Sequence, residues 1–235
     1  MSRINDIWLR KPAGVVYAND WTGGRTTDVT GKVGTLTNGA SISGTALVLS
    51  GANQYLSIPD SNDLSFGNGG TDAPFSVSVW FNTTAPTTRQ FIISKRVAAT
   101  YEWQFEYRAT TGAGLEFVLV ASTASSIISR YDAGTTLTSG QWYHAVATYS
   151  GNKATSGMKV YQDAVRVDDT SGLSPTYTGM SNTTNPVTIG CLPPNILPLT
   201  GAVGTTIIFN RELTQPEIAQ IYNAGAARIA QGGTP

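Results

Sequence analysis

The sequence contains one cysteine, Cys191, and one histidine, His144, in 235 residues. A single thiol cannot close an internal disulfide, and its default place is a buried apolar site. One His and one Cys also fall short of a zinc ligand set, and any Ser-His-Asp or Cys-His site would have to use that one imidazole. Charge is scarce as well: only 13% of residues are charged, about half the usual share, and 15 basic residues balance 15 acidic ones. Without net charge the chain lacks the long-range attraction on which nucleic-acid and anionic-membrane binding rely, so neither partner is expected. No segment approaches the roughly 20 apolar residues of a membrane-spanning helix, so no membrane insertion is expected. Residues 1–8 hold no apolar run of the kind found in a secretion leader, which favours synthesis and folding in a reducing cytoplasm.

In place of charge the chain carries 32 Thr, 20 Ser and 25 Gly. A surface wetted by hydroxyls and amides is common among secreted adhesins and virion surface proteins. Short runs of β-branched and aromatic residues recur between Gly, Asn, Asp, Ser and Pro, the spacing of a sandwich or barrel. The clearest is 75–81, where Phe75, Val77, Val79 and Phe81 share one face at period two. Further strands are expected at 55–58, 91–94, 101–107, 115–120, 127–131, 142–149, 158–161, 165–168, 187–189 and 202–209, with a tight turn at Gln162-Asp163. Val77, Val79, Val146, Val160 and Ile189 are expected between the sheets.

One helix signal stands near the end. Thr214 and Glu217 form a capping box with Pro216 in the first turn, Leu213 can staple onto Ile218, and Ile218, Ile221 and Tyr222 make an apolar stripe that Gly225 ends. The expected organisation is an N-terminal arm (1–14), one sandwich domain (15–225) and a loose tail (226–235).

Two groups of segments carry a family pattern. Gly140-Gln-Trp-Tyr-His-Ala-Val-Ala-Thr-Tyr-Ser-Gly151, followed by the segment from Met158 to Val165, resembles the paired strands of the laminin-G-like jelly roll in the concanavalin A-like lectin/glucanase superfamily. Asn185-Pro-Val-Thr-Ile-Gly190, and the segment from Leu199 through Asn210-Arg-Glu-Leu213 into the helix, resemble that family's later strands. The resemblance implies an all-β fold: a two-sheet antiparallel jelly-roll sandwich with one short C-terminal helix. The family often has an acidic residue where this chain has Gly204, so no role of that carboxylate carries over.

The fold hosts lectins, glycanases, adhesion modules and capsid parts, so function must come from sites. Glycanases of this fold resemble the stretch Glu102-Trp-Gln-Phe-Glu106, whose positions 102, 104 and 106 share a face; the central Asp of their motif is Gln104 here, and no catalysis is expected. Trp21, Tyr55, Tyr101, Tyr131 and Tyr177 are candidates for stacking on sugars. No cofactor is required, although the superfamily often binds calcium, for which Asp60, Asp63, Asn68 and Asp72 supply loop oxygens. In the arm, Ile4, Ile7, Trp8 and Leu9 beside Arg10 and Lys11 suit an interface with other virion or self subunits. The expected function is a non-enzymatic virion component, such as a bacteriophage head decoration, fibre or tail protein, with a lectin-like domain that binds cell-surface glycans. A free extracellular lectin is the alternative.

Overall fold

The computed structural model describes residues 12–97, 100–109, 114–121, 126–193 and 196–235. The interface candidates Ile4, Ile7, Trp8, Leu9, Arg10 and Lys11 lie outside the described residues. Among the described residues sixteen strands, numbered in chain order, form two antiparallel sheets of eight. Sheet 1 holds β1 (Val15–Asn19), β3 (Ser41–Ser43), β4 (Ala46–Ser50), β6 (Phe75–Thr83), β11 (Tyr143–Tyr149), β12 (Met158–Gln162), β13 (Val165–Arg166) and β16 (Thr200–Phe209). Sheet 2 holds β2 (Thr35–Thr37), β5 (Tyr55–Ile58), β7 (Gln90–Val97), β8 (Thr100–Tyr107), β9 (Leu115–Val120), β10 (Ile127–Tyr131), β14 (Thr170–Leu173) and β15 (Val187–Ile189). The order in sheet 1 is β13-β12-β11-β6-β16-β4-β3, and in sheet 2 it is β14-β10-β9-β8-β7-β15-β5-β2. This is the all-β, two-sheet jelly-roll sandwich with a C-terminal helix that the sequence pattern implies.

Alternation along the strands builds the core between the sheets. Phe75, Val77, Val79 and Phe81 of β6 face Trp103 and Phe105 of β8, Phe117 and Leu119 of β9, and Ile189 of β15 in one fully buried cluster. Each such side chain withdrawn from water stabilises the fold by about 1.5–3 kcal/mol. Val160 is in the same cluster, but Val146 is not. It belongs to a second cluster on the outer face of sheet 1, with Ile207, Phe209, Leu213, Ile218 and Ile221. The strand β11 is buried on both faces, so period two alone could not tell which side of it meets the other sheet. The hairpin turn is likewise one residue later than expected: Asp163 and Ala164 both have positive φ, the signature of a two-residue hairpin loop.

The second cluster exists because the helix α1 (Gln215–Ala230) covers it. Glu217 accepts hydrogen bonds from the Thr214 backbone (2.9 Å) and hydroxyl (2.8 Å), which fixes the first turn. Its pKa is lowered to about 2, chiefly by the Arg211 guanidinium bound to it. Gly225 does not end the helix. It is where α1 crosses Trp80, and a Cβ there would lie 2.4 Å from the indole ring. The expected loose tail is therefore partly helix, and the remainder is anchored. The carbonyl of Pro235 accepts from the Thr205 backbone at 2.9 Å, beside an irregularity between Val203 and Thr206. This accounts for Gly204, whose added Cβ would meet the Pro235 carbonyl at 2.6 Å.

Candidate functional site

The outward residues of β8, β9 and β10 are more polar than their inward neighbours and sit beside Arg96 of β7 and two arginines adjoining strand ends, Arg89 before β7 and Arg108 after β8. Together they line a cleft of about 410 Å³ on the outer face of sheet 2. That volume is within the range of small-ligand sites, about 300–1,000 Å³. Val118, Val120 and Ile127 form its apolar patch, and Arg96, Tyr101, Gln104, Arg108, Glu116 and Tyr131 supply the polar wall. Two of the guanidinium groups are stacked on aromatic rings: Arg96 lies 4.0 Å from the centroid of Tyr101 and Arg108 lies 5.0 Å from that of Tyr131. Such stacking holds a cation in place without neutralising it.

Behind the wall is a ladder of charge. Glu106 and Glu116 are directly opposed on β8 and β9, which brings their two carboxyl groups to the same side of the sheet. Arg89 grips Glu106 with two 2.6 Å bonds, and Gln104 donates to it at 3.0 Å. Glu116 has only the longer contact to Arg108 at 3.4 Å. Burial, reinforced by the Glu106 charge, pushes the Glu116 carboxyl up to about 7.

Glu102, the other acid of the glycanase-like stretch, is remote from this chemistry. It is fully buried, ion-paired with Lys95 at 2.9 Å, and accepts from the Thr183 backbone and hydroxyl at 2.7 and 2.9 Å. Its surroundings tie the loop around Thr183 to β8.

The five aromatic candidates separate accordingly. Tyr101 and Tyr131 are in the cleft. Trp21 is fully buried and donates its indole N–H to the Gly204 carbonyl at 2.8 Å, so it is a core residue and offers no face to a sugar. Tyr177 is turned inward against the core and donates to Asp72 at 2.7 Å. Tyr55 is half-buried on β5, beyond the cleft. The four loop residues weighed for calcium are each occupied: Asp60 pairs with Lys95, Asp63 with Lys32, Asn68 accepts from the Gly70 and Thr71 backbones, and Asp72 accepts from Tyr149 and Tyr177. Among the described residues no group of three or more His, Cys, Asp or Glu is placed to hold a metal ion. Arg96, Arg108 and Glu116 were not picked out by sequence pattern; the cue available was only that Glu116 alternates outward with Val118 on β9.

A family model described as the concanavalin A-like lectin/glucanases superfamily matches residues 50–219. The chain belongs to that superfamily. None of the curated protein sequences compared with it matches the chain. Solved structures with a similar fold include the binding domain of Paraclostridial Mosquitocidal Protein 1, at TM-score 0.67 and 14% identity over 90% of this chain and 52% of that one. The botulinum neurotoxin serotype G binding domain gives TM-score 0.65 and 16% identity over 88% and 50%. The serotype D ligand binding domain, solved in complex with N-acetylneuraminic acid, gives TM-score 0.66 and 15% identity over 92% and 52%. The chain thus spans about half the length of these structures. Membership of a superfamily that includes lectins and glucanases gives the sandwich; the activity must be argued from the cleft.

Proposed function

We propose that this superfamily member is a non-catalytic, lectin-like module that binds a glycan in the cleft on the outer face of sheet 2. The observation that carries the reading is the juxtaposition of an apolar patch (Val118, Val120, Ile127) with fixed hydrogen-bonding groups (Gln104, Arg96, Arg108) in one cleft. A sugar ring has the same two characters: an apolar C–H face and a rim of hydroxyls. The glycan complex of the serotype D domain lends support from a protein of similar fold. The engagement of Glu106 by two bonds from Arg89, with Glu102 sealed in an ion pair with Lys95, favours binding over hydrolysis. The test is a screen of immobilised glycans followed by amide-resonance mapping of a hit. The expected hit shifts Val118, Val120, Ile127 and Tyr131, and Tyr131→Ala weakens it at least tenfold. A hit that maps to other residues overturns the assignment of the site.

The finer reading is that the module is a structural or adhesive part of a bacteriophage particle, assembled after synthesis in the host cytoplasm. It is supported by the Thr/Ser/Gly-rich, net-neutral composition and by the apolar-basic segment Ile4–Lys11. Deleting residues 2–11 is expected to leave the melting temperature nearly unchanged and to abolish attachment to a particle or self-assembly. Normal assembly of the truncated chain, checked by sedimentation, overturns this reading and leaves the lectin reading standing.

A further inference from the structure

Among the cleft cations, Arg96 is the one whose charge goes unanswered. Arg89 is matched by Glu106 and Arg108 leans on Glu116, but among the described residues no carboxylate contacts Arg96. No internal residue outside the described set is acidic. Its Nη1 donates to Gln104 at 2.6 Å and its plane is stacked on Tyr101, whereas its Nε is shut off from solvent without a hydrogen-bond partner. Burial works against this charge, and Glu106 acts on it only through space. A half-buried, pre-positioned guanidinium with donors to spare is an anion-binding group short of its anion. The local balance agrees: Arg89, Arg96 and Arg108 outnumber Glu106 and Glu116 in a chain whose charges otherwise cancel.

Given the reading of the cleft as a glycan site, we propose that it selects acidic saccharides. A carboxylate or sulfate of the sugar pairs with Arg96 and Arg108, while the ring lies on Val118, Val120 and Ile127. Glu116 then sets the pH range. Facing it are Glu106 from β8, Arg108 just after β8, Ser129 from β10 and Arg89 just before β7. While Glu116 is protonated it leaves Arg108 free for the ligand. Once ionised, it competes for Arg108 and repels the anion. Uronates and sulfates remain ionised between pH 6 and 8, so any change in affinity across that range reports the protein.

The experiment uses the full chain and three parallel sets of immobilised hexoses: neutral glucose, galactose and mannose, their uronates, and their 6-sulfates. Uronate or sulfate forms are expected to bind at least tenfold more tightly than the matching neutral sugar at pH 6, and the comparison of the two acidic sets identifies which anion is preferred. Affinity for the acidic sugar should weaken roughly three- to tenfold from pH 6 to pH 8, and Glu116→Gln should remove that dependence. Arg96→Gln and, separately, Arg108→Gln should each lose at least tenfold toward the acidic sugar and change the neutral one little. Neutral and acidic sugars bound alike at the cleft overturn the selectivity and leave the lectin reading intact. An absence of binding in all three sets overturns both. The comparison of sugars on the unmutated chain decides the matter even where a variant does not fold.

Discussion

Lys95→Met is expected to destabilise the fold by about 3–5 kcal/mol, more than removal of any exposed ion pair in the molecule. The Lys95 side chain is fully buried, and its ammonium has four oxygens within 3.0 Å: Asp60 at 2.6 Å, Glu102 and the Asn185 carbonyl at 2.9 Å, and the Thr183 carbonyl at 3.0 Å. Methionine fills similar space but leaves Glu102, whose side chain is also fully buried, with no counter-charge. Asp60 is 29% exposed and can recover water; Glu102 cannot. The double variant Lys95→Met/Glu102→Gln should therefore regain more than half of the loss, because the stranded charge is gone. Lys159→Met, which breaks a pair with both partners about a third exposed, should change stability by less than about 1 kcal/mol. Urea denaturation of the four proteins measures all of this. Equal losses from Lys95→Met and Lys159→Met would show that burial does not govern the Lys95 pair.

Acid should act on this protein through its one imidazole. His144 is fully buried against Trp80, its Nε2 2.8 Å from the Ser78 hydroxyl and its Nδ1 without a partner. Burial lowers its pKa from 6.5 to about 3. A base whose folded pKa is depressed contributes stability that is intact above its unfolded value of 6.5 and is lost as pH falls toward the folded value. The loss amounts to about 2 kcal/mol at pH 5 and about 4–5 kcal/mol at pH 3. Glu116 has the opposite sign. With its carboxyl raised from 4.5 to about 7, it destabilises the fold as pH rises through that window and so masks the effect of His144 on the way down. The unmodified chain should thus be nearly indifferent to pH between 5 and 7.5, whereas Glu116→Gln should lose about 2 kcal/mol over the same range. Because there is only one histidine, its ring resonances are unambiguous. They should show no titration in the folded protein from pH 8 to 4.5. A native-state midpoint near 6.5 would mean that water reaches the ring.

The central strands were legible because burial and pattern coincide in them: β5, β9, β10 and β15 begin and end where their apolar runs do. The short strands β2, β3 and β14 were not, since one apolar residue among two or three Thr, Ser or Gly is too short a run to set a period. The second core cluster was also hidden. Val146 reads as an inward residue until the helix is known to cover the other side of β11. The cleft was half legible. Tyr101 and Tyr131 stand out as aromatics near strand ends, but the pairing of Glu106 with Glu116 depends on the β8–β9 register. The isolation of Arg96 depends on which acids other basic residues have already taken. Trp21 misled because an aromatic in a Gly-rich turn looks exposed; its positive φ and its bond to Gly204 turn it into the core.

The positions of the two described chain ends give the molecule a sidedness. Residues 12–19 enter along β16, with the Gly14 carbonyl accepting from Asn210, and Pro235 closes onto Thr205 of the same strand. Both ends therefore belong to sheet 1, while the cleft opens from sheet 2, across the full thickness of the sandwich. A tether or neighbouring subunit attached at Pro235, or at the point where the chain enters β1, would meet the sheet 1 side and leave the cleft open. Many copies fixed on a common support would then display their clefts in parallel, so that weak single contacts with a glycan-coated surface add up to firm attachment.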